Sequence, residues 1–339
     1  RQDIPHAIGE YRLAISQNDR LFPVYFELAE LLLSTGQVDE ADRLFRRVVR
    51  ASADEELVAR AARMSMQVNL GRGSLDVLER ELLPVAVGNP QKPLYRRLLV
   101  ELYGAMTFPI VQKVRASVRR AQDAKTPAAA KEALATAQTS RAELAKIGAR
   151  AIKPLLDALA DDRESQQKIA IEVLAYVENK SAGAALYNFA VGPADKGLRV
   201  RAMIACGALR DPAMLARYEQ MLAPKEGTSS LLPNDAISVA AAWGVARMGD
   251  TAVADPKVRK QAEPLLLRLL ASASPEIRAL AAIGLGLTHD RKHAPALIAL
   301  AKSPEAGPTA RAAAAPAHSP APASAAATRA PTGKPAWAS

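Results

Sequence analysis

Apolar residues in the first third of the chain recur at three- and four-residue steps. Ala7, Tyr11, Ala14 and Ile15 are followed 34 residues later by Ala41, Phe45, Val48 and Val49. Between the two sets lie Tyr25, Leu28, Ala29 and Leu32, and then Gly36. That step is the period of an amphipathic helix. It predicts one helix through Tyr25 and Leu32, a stop at Gly36, and a second helix running through Ala41 and Val48. Glycine suits such a stop because it takes up the left-handed backbone that ends many helices. A weaker copy covers 55–88, turning near Gly71 to Gly73. Residues 1–20 read as only the second helix of an earlier pair, so the pattern expects further chain ahead of Arg1.

A different pattern begins near Ala149. Val200-Arg201-Ala202 leads to Ala205 and Gly207, Val239-Ala240-Ala241 to Ala242 and Gly244, and Ile277-Arg278-Ala279 to Ala282 and Gly284. A fainter copy runs through Ile169, Ala170, Val173 and Ala175. Turns are expected at Arg210-Asp211-Pro212, Gly249-Asp250 and His289-Asp290, each followed by an apolar helix. A helix with a flat face of small residues can lie close against its neighbour. A single pair cannot bury its apolar stripe, so several pairs must stack.

Both patterns have relatives. The period of 34 with Tyr25, Leu28, Ala29, Leu32, Gly36, Ala41, Phe45 and Val48 in order resembles the tetratricopeptide repeat. The Arg-Ala-x-Ala-Ala-x-Gly-Leu helices resemble HEAT repeats of the short bacterial type first noted in phycobilin lyases. No cofactor-attachment site can be mapped from those lyases, so their activity does not carry over. Taken together, the chain is expected to be an all-α helical-repeat superhelix, an α-solenoid, tetratricopeptide-like and then HEAT-like. The divisions are tetratricopeptide-like repeats over 1–90, a basic helical connector over 91–148, HEAT-like repeats over 149–312, and a disordered Ala/Pro-rich tail over 313–339. Pro109 is expected to begin or kink a helix, and Pro127 to begin one.

Composition agrees with helices. Hydrophobic residues make up 49% but aromatic ones only 4%, an aliphatic core that suits closely packed helices better than sheets. The longest apolar runs, such as 280–287, fall far short of the ~20 residues that span a bilayer. The net charge of +10 is concentrated. Residues 91–153 carry 13 Lys/Arg against 4 Asp/Glu, whereas residues 1–90 carry 11 against 14. Lys113, Arg115, Arg119, Arg120, Lys125 and Lys131 are therefore the candidate anion-binding residues.

No catalytic constellation emerges. Gly71-Arg72-Gly73 is too short for a phosphate loop and lacks the following Lys-Ser/Thr. His289 and His293 are four apart, but Asp290-Arg291-Lys292 separates them and the stretch reads as a solvated inter-helix turn rather than a metal site. The single cysteine, Cys206, excludes an internal disulfide framework and reads as a small buried hydrophobe. Trp243 reads as core. Asp161, Asp162 and Glu164, like Asp54, Glu55 and Glu56, sit where helices should begin and favour the helix dipole. No enzyme, metal or cofactor is expected.

In tetratricopeptide proteins the groove is lined by the first helix of each repeat, and the matching positions here are Glu27, Glu30 and Leu31. The expected partner is a protein or peptide segment bound by a scaffold. The alternative is a duplex nucleic-acid backbone held by the basic stretch 91–153. The compartment stays open, with the cytoplasm favoured.

Overall fold

The computed structural model describes residues 3–223, 235–251, 255–303 and 307–314. Among them every regular element is helical: sixteen α-helices and three 3-10 turns, with no strand. The architecture is an all-α helical repeat. It divides into two compact units, residues 1–110 with 149–173, and residues 111–148 with 174–339.

The first unit contains α1 (Ile4–Gln17), α2 (Phe22–Ser34), α3 (Val38–Ala51), α4 (Glu55–Arg72) and α5 (Leu75–Gly88). It also takes parts of α6 (Pro93–Gln122), α7 (Pro127–Ala158) and α8 (Glu164–Tyr176). The expected stop is present: Gly36 has φ 79°. Gly73 has φ 69° and ends α4, with the Ser74 N–H donating to the Asn69 carbonyl. Asp54 caps α4 by accepting from the Glu56 and Leu57 N–H groups, which supplies partners to backbone donors that a helix start leaves open. The stretch 55–88, whose pattern is weak, is therefore a full helical hairpin. Hairpin α2–α3 stacks on α4–α5, with α2 against α4 and α3 against α5. Tyr25, Leu28, Ala29, Leu32, Ala41, Phe45 and Val48 are all buried, so the spaced positions are the interior of the stack.

Helix α6 passes through Pro109 instead of beginning there. Proline forfeits one backbone bond and crowds the preceding turn, and the helical turns on either side continue across it. Helix α7 begins at Pro127 as expected.

Polar groups are also buried in this unit. Asp42 accepts from Ser65 Oγ at 2.6 Å, Asn69 Nδ2 at 2.8 Å and Arg46 Nε at 3.0 Å. Glu79 accepts from the Tyr103 hydroxyl at 3.1 Å and pairs with Arg150 at 3.1 Å. Asp161, whose carboxylate is fully buried, pairs with Arg96 at 3.0 Å and Arg97 at 3.1 Å. It does more than start a helix: it ties the 160s turn to α6.

The second unit holds α9 (Gly183–Val191), α10 (Lys196–Ala208), α11 (Leu215–Leu222), α12 (Ala236–Met248), α13 (Pro256–Leu269), α14 (Pro275–Leu287), α15 (Ala294–Lys302) and α16 (Pro308–Ala314). The small-residue helices α10, α12, α14 and α16 stack in series. Ala202, Ala205, Cys206, Ala240, Ala241, Ala242, Ala281 and Ala282 are buried between them. A Cβ on Gly207 would sit 2.6 Å from the Gly244 Cα, and one on Gly284 2.8 Å from the Ala246 Cα. The glycines are where backbones meet.

Three turns of this unit share one construction. Glu178, Arg210 and His289 each take a left-handed backbone, with φ near 50°. The next residue, Asn179, Asp211 or Asp290, accepts from the N–H two residues on. Of the expected disordered tail over 313–339, residues 315–339 lie outside the described residues, and Ala313 and Ala314 close α16.

Candidate functional site

Helix α2 carries Glu27, Glu30 and Leu31 at three- and four-residue spacing, so they share one face. Both glutamates are exposed and Leu31 is half-buried. Glu27 accepts a hydrogen bond from the Tyr11 hydroxyl, which with its charge raises the Tyr11 pKa. Helix α4, packed on α2, presents exposed Arg60 and Arg63. The Arg60 guanidinium lies 4.4 Å from the centroid of the Phe26 ring. Arg63 grips Glu101 of α6 with both ends of its fork, at 3.0 and 3.1 Å. First helices of successive hairpins thus offer adjoining acidic, basic and acidic side chains. The Arg63–Glu101 clasp has no local signature, since its partners are 38 residues apart.

The basic candidates belong to the second unit. Val111 and Ser117 mark the buried side of α6 here, and Lys113, Arg115, Arg119 and Arg120 are all exposed. Spaced four and seven residues apart, Arg115 with Arg119 and Lys113 with Arg120 flank the centre of the outer face. Lys125 lies in the link before α7, and Lys131 lies in the early part of that helix; both are exposed. Arg115 donates to the Tyr176 hydroxyl at 2.8 Å and lies 5.6 Å from its ring centroid. Arg120 donates to Ser117 Oγ at 3.1 Å. Among the described residues no carboxylate pairs with any of the six. In the first unit, by contrast, Arg12, Arg46, Arg72 and Arg97 all pair with acids.

No family model matches this sequence. No curated protein matches it.

Among the described residues no three His, Cys, Asp or Glu side chains are grouped to hold a metal ion. None of the described helices is long and apolar enough to cross a membrane. His289 and His293 do not share a helix face: His289 occupies the exposed left-handed turn and His293 closes the following 3-10 turn. Contrary to a solvated reading, His293 is buried, with Nε2 3.8 Å from Glu263. The turn folds it under α15, an inward direction that the charged residues around it conceal.

Cys206 is fully buried, donating to the Gly183 carbonyl at 3.4 Å and accepting from the Tyr218 hydroxyl at 3.1 Å. Burial pushes its pKa up to about 11, against the pull of the Tyr218 hydrogen bond. Only the thiolate is nucleophilic. We expect an aromatic disulfide reagent at neutral pH to label the native chain at least about a hundredfold more slowly than the urea-unfolded chain. Equal rates would show that the thiol is open to solvent.

Trp243 is half-buried, not wholly core. The Arg247 guanidinium sits 5.3 Å from its ring centroid, one turn on. The spacing Trp-x-x-x-Arg is the local signal that could have drawn attention to this pair.

Proposed function

We propose that this chain is a non-enzymatic scaffold whose stacked helical hairpins bind segments of partner proteins. In this reading residues 1–90 are tetratricopeptide-like, 149–312 are HEAT-like, and 91–148 join them. The observation that carries it is the face shared by α2 and α4. The repeated positions of these helices are spent inward, and Glu27, Glu30, Leu31, Arg60 and Arg63 are left outward on a packed backbone. Such a preorganised face binds without first having to be ordered.

The test uses the full chain with a photo-crosslinking residue at position 31, exposed to lysate of the source cells. A defined protein should crosslink there and survive moderate salt. Glu27→Lys with Glu30→Lys should weaken its capture about tenfold, as reversing charges opposite a complementary surface does. Crosslinks that ignore the charge reversal would remove this face from the account.

The unpaired basic face of α6 favours a second reading, binding of a duplex nucleic-acid backbone. Its four cations would neutralise about four phosphates, so log affinity should fall with log salt at a slope of about −4. Retention of nucleic acid alone, lost as salt rises, would put Lys113, Arg115, Arg119 and Arg120 in place of the α2 face.

A further inference from the structure

Arg247 stands in the last turn of α12, half-buried, with its Nε shut off from water and without a hydrogen-bond partner. The rest of its guanidinium makes no hydrogen bond or ion pair among the described residues either. Burial, and then the charges of Arg210 and Arg141, lower its pKa. Asp250 and Glu178 act in the opposite direction. Glu178 is already engaged, 3.0 Å from Arg210. Three guanidinium groups therefore face two carboxylates, which leaves one positive charge in excess.

A guanidinium removed from water and left without an acceptor is costly to the folded state. Packing against Trp243 holds the Arg247 side chain in place but supplies no acceptor oxygen. A methionine would fill the same space without the penalty. The indole N–H of Trp243 has no acceptor among the described residues. An unmatched planar fork, a free indole donor and an aromatic wall therefore meet at one place, all within the second unit.

We infer that Arg247, beside Trp243 and Arg210, receives the carboxylate of an acidic side chain from a bound partner segment. A carboxylate matches the guanidinium fork in a bidentate pair and cancels the single excess charge. A phosphate dianion would overshoot it next to Glu178 and Asp250. The indole ring then covers the methylene groups of the incoming side chain. The partner as the source of that carboxylate rests on the scaffold reading. The site itself does not.

Acetate is the probe, titrated into the full chain at constant ionic strength with chloride as the balancing anion. Trp337 is the only other tryptophan, and Trp337→Phe leaves one indole signal to follow. In nitrogen-15 spectra the Arg247 Nε–H and Trp243 indole resonances should shift together along one saturable curve. Arg247→Lys, which keeps the charge but loses the fork, should weaken acetate binding about tenfold. Arg247→Met should abolish the response with no loss of melting temperature, because the penalty of the unmatched charge goes with it. Absence of a saturable shift, or an equal shift with chloride alone, overturns the site. Tighter binding of inorganic phosphate than of acetate overturns the carboxylate assignment. The titration needs no partner, so its failure leaves the scaffold reading standing. Acetate binding without any captured protein would remove the scaffold reading alone.

Discussion

Gly207→Val should destabilise the second unit by about 3 kcal/mol or more, the upper range for forcing atoms into a filled interior. Even the first added carbon would lie 2.6 Å from the Gly244 Cα, 3.2 Å from its N and 3.2 Å from Trp243 Cε3. Two of those three atoms are backbone, so no side chain can swing aside to make room. The contact is mutual: a Cβ on Gly244 would lie 2.9 Å from the Gly207 Cα. Relief requires α10 and α12 to separate, which opens gaps along the alanines between them. A matched control isolates the packing effect. Gly71 lies inside α4, and a methyl group added there would meet nothing within 4 Å. Gly71→Ala should therefore stabilise by up to about 1 kcal/mol, the helix preference of alanine over glycine. Urea titrations followed by circular dichroism should give shifts of opposite sign for the two variants. A Gly207→Val midpoint equal to that of the parent would rule out the close approach.

Asp161→Ala should cost about 3–5 kcal/mol, as breaking one side of a buried ion pair does. Its carboxylate has no exposure, and it holds both Arg96 and Arg97; Arg97 itself is only 15% exposed. Removing the acid leaves two guanidinium groups facing a site that water reaches poorly. The neighbouring Asp162 also pairs with Arg97 but is 81% exposed, so Asp162→Ala should cost less than about 1 kcal/mol. Acid tells the same story. Burial would raise the Asp161 pKa, but hydrogen bonds from Arg97, the Arg163 backbone N–H and Arg96 outweigh it and hold the value at about 2. That is below the ordinary 3.8, so the group favours the folded state fully above the ordinary value. The contribution, about 2 kcal/mol, is lost as pH falls from about 4 towards 2. Melting temperatures across that window should fall more steeply for the parent than for Asp161→Asn. Parallel curves would mean that the carboxylate titrates alike in folded and unfolded chains.

Much of the fold is legible without coordinates because helix periodicity and helix termination are local. Tyr25, Leu28, Ala29 and Leu32 announce one buried stripe, and Gly36 announces its end. Gly207, Gly244 and Gly284, each at the same place in a small-residue helix, mark where helix must touch helix. The outward placement of Glu27, Glu30 and the basic residues of α6 follows from the same arithmetic, since what is not spent inward faces out. Exposure alone does not say what those residues bind.

The rest depends on distances that the sequence does not measure. Asp161 looks like a helix-start acid because its arginines lie 64 and 65 residues away, and no local pattern joins them. The charges around His293 suggest solvent, while the path of its turn carries it inward to Glu263. Arg247 looks like any helix-ending arginine until the folded chain shows that no acceptor reaches it. Local backbone preference and apolar spacing determined the helices and the faces they bury. Only tertiary structure decided which charges are matched, because the energy of a charge depends on what the fold brings to it and on the water it excludes.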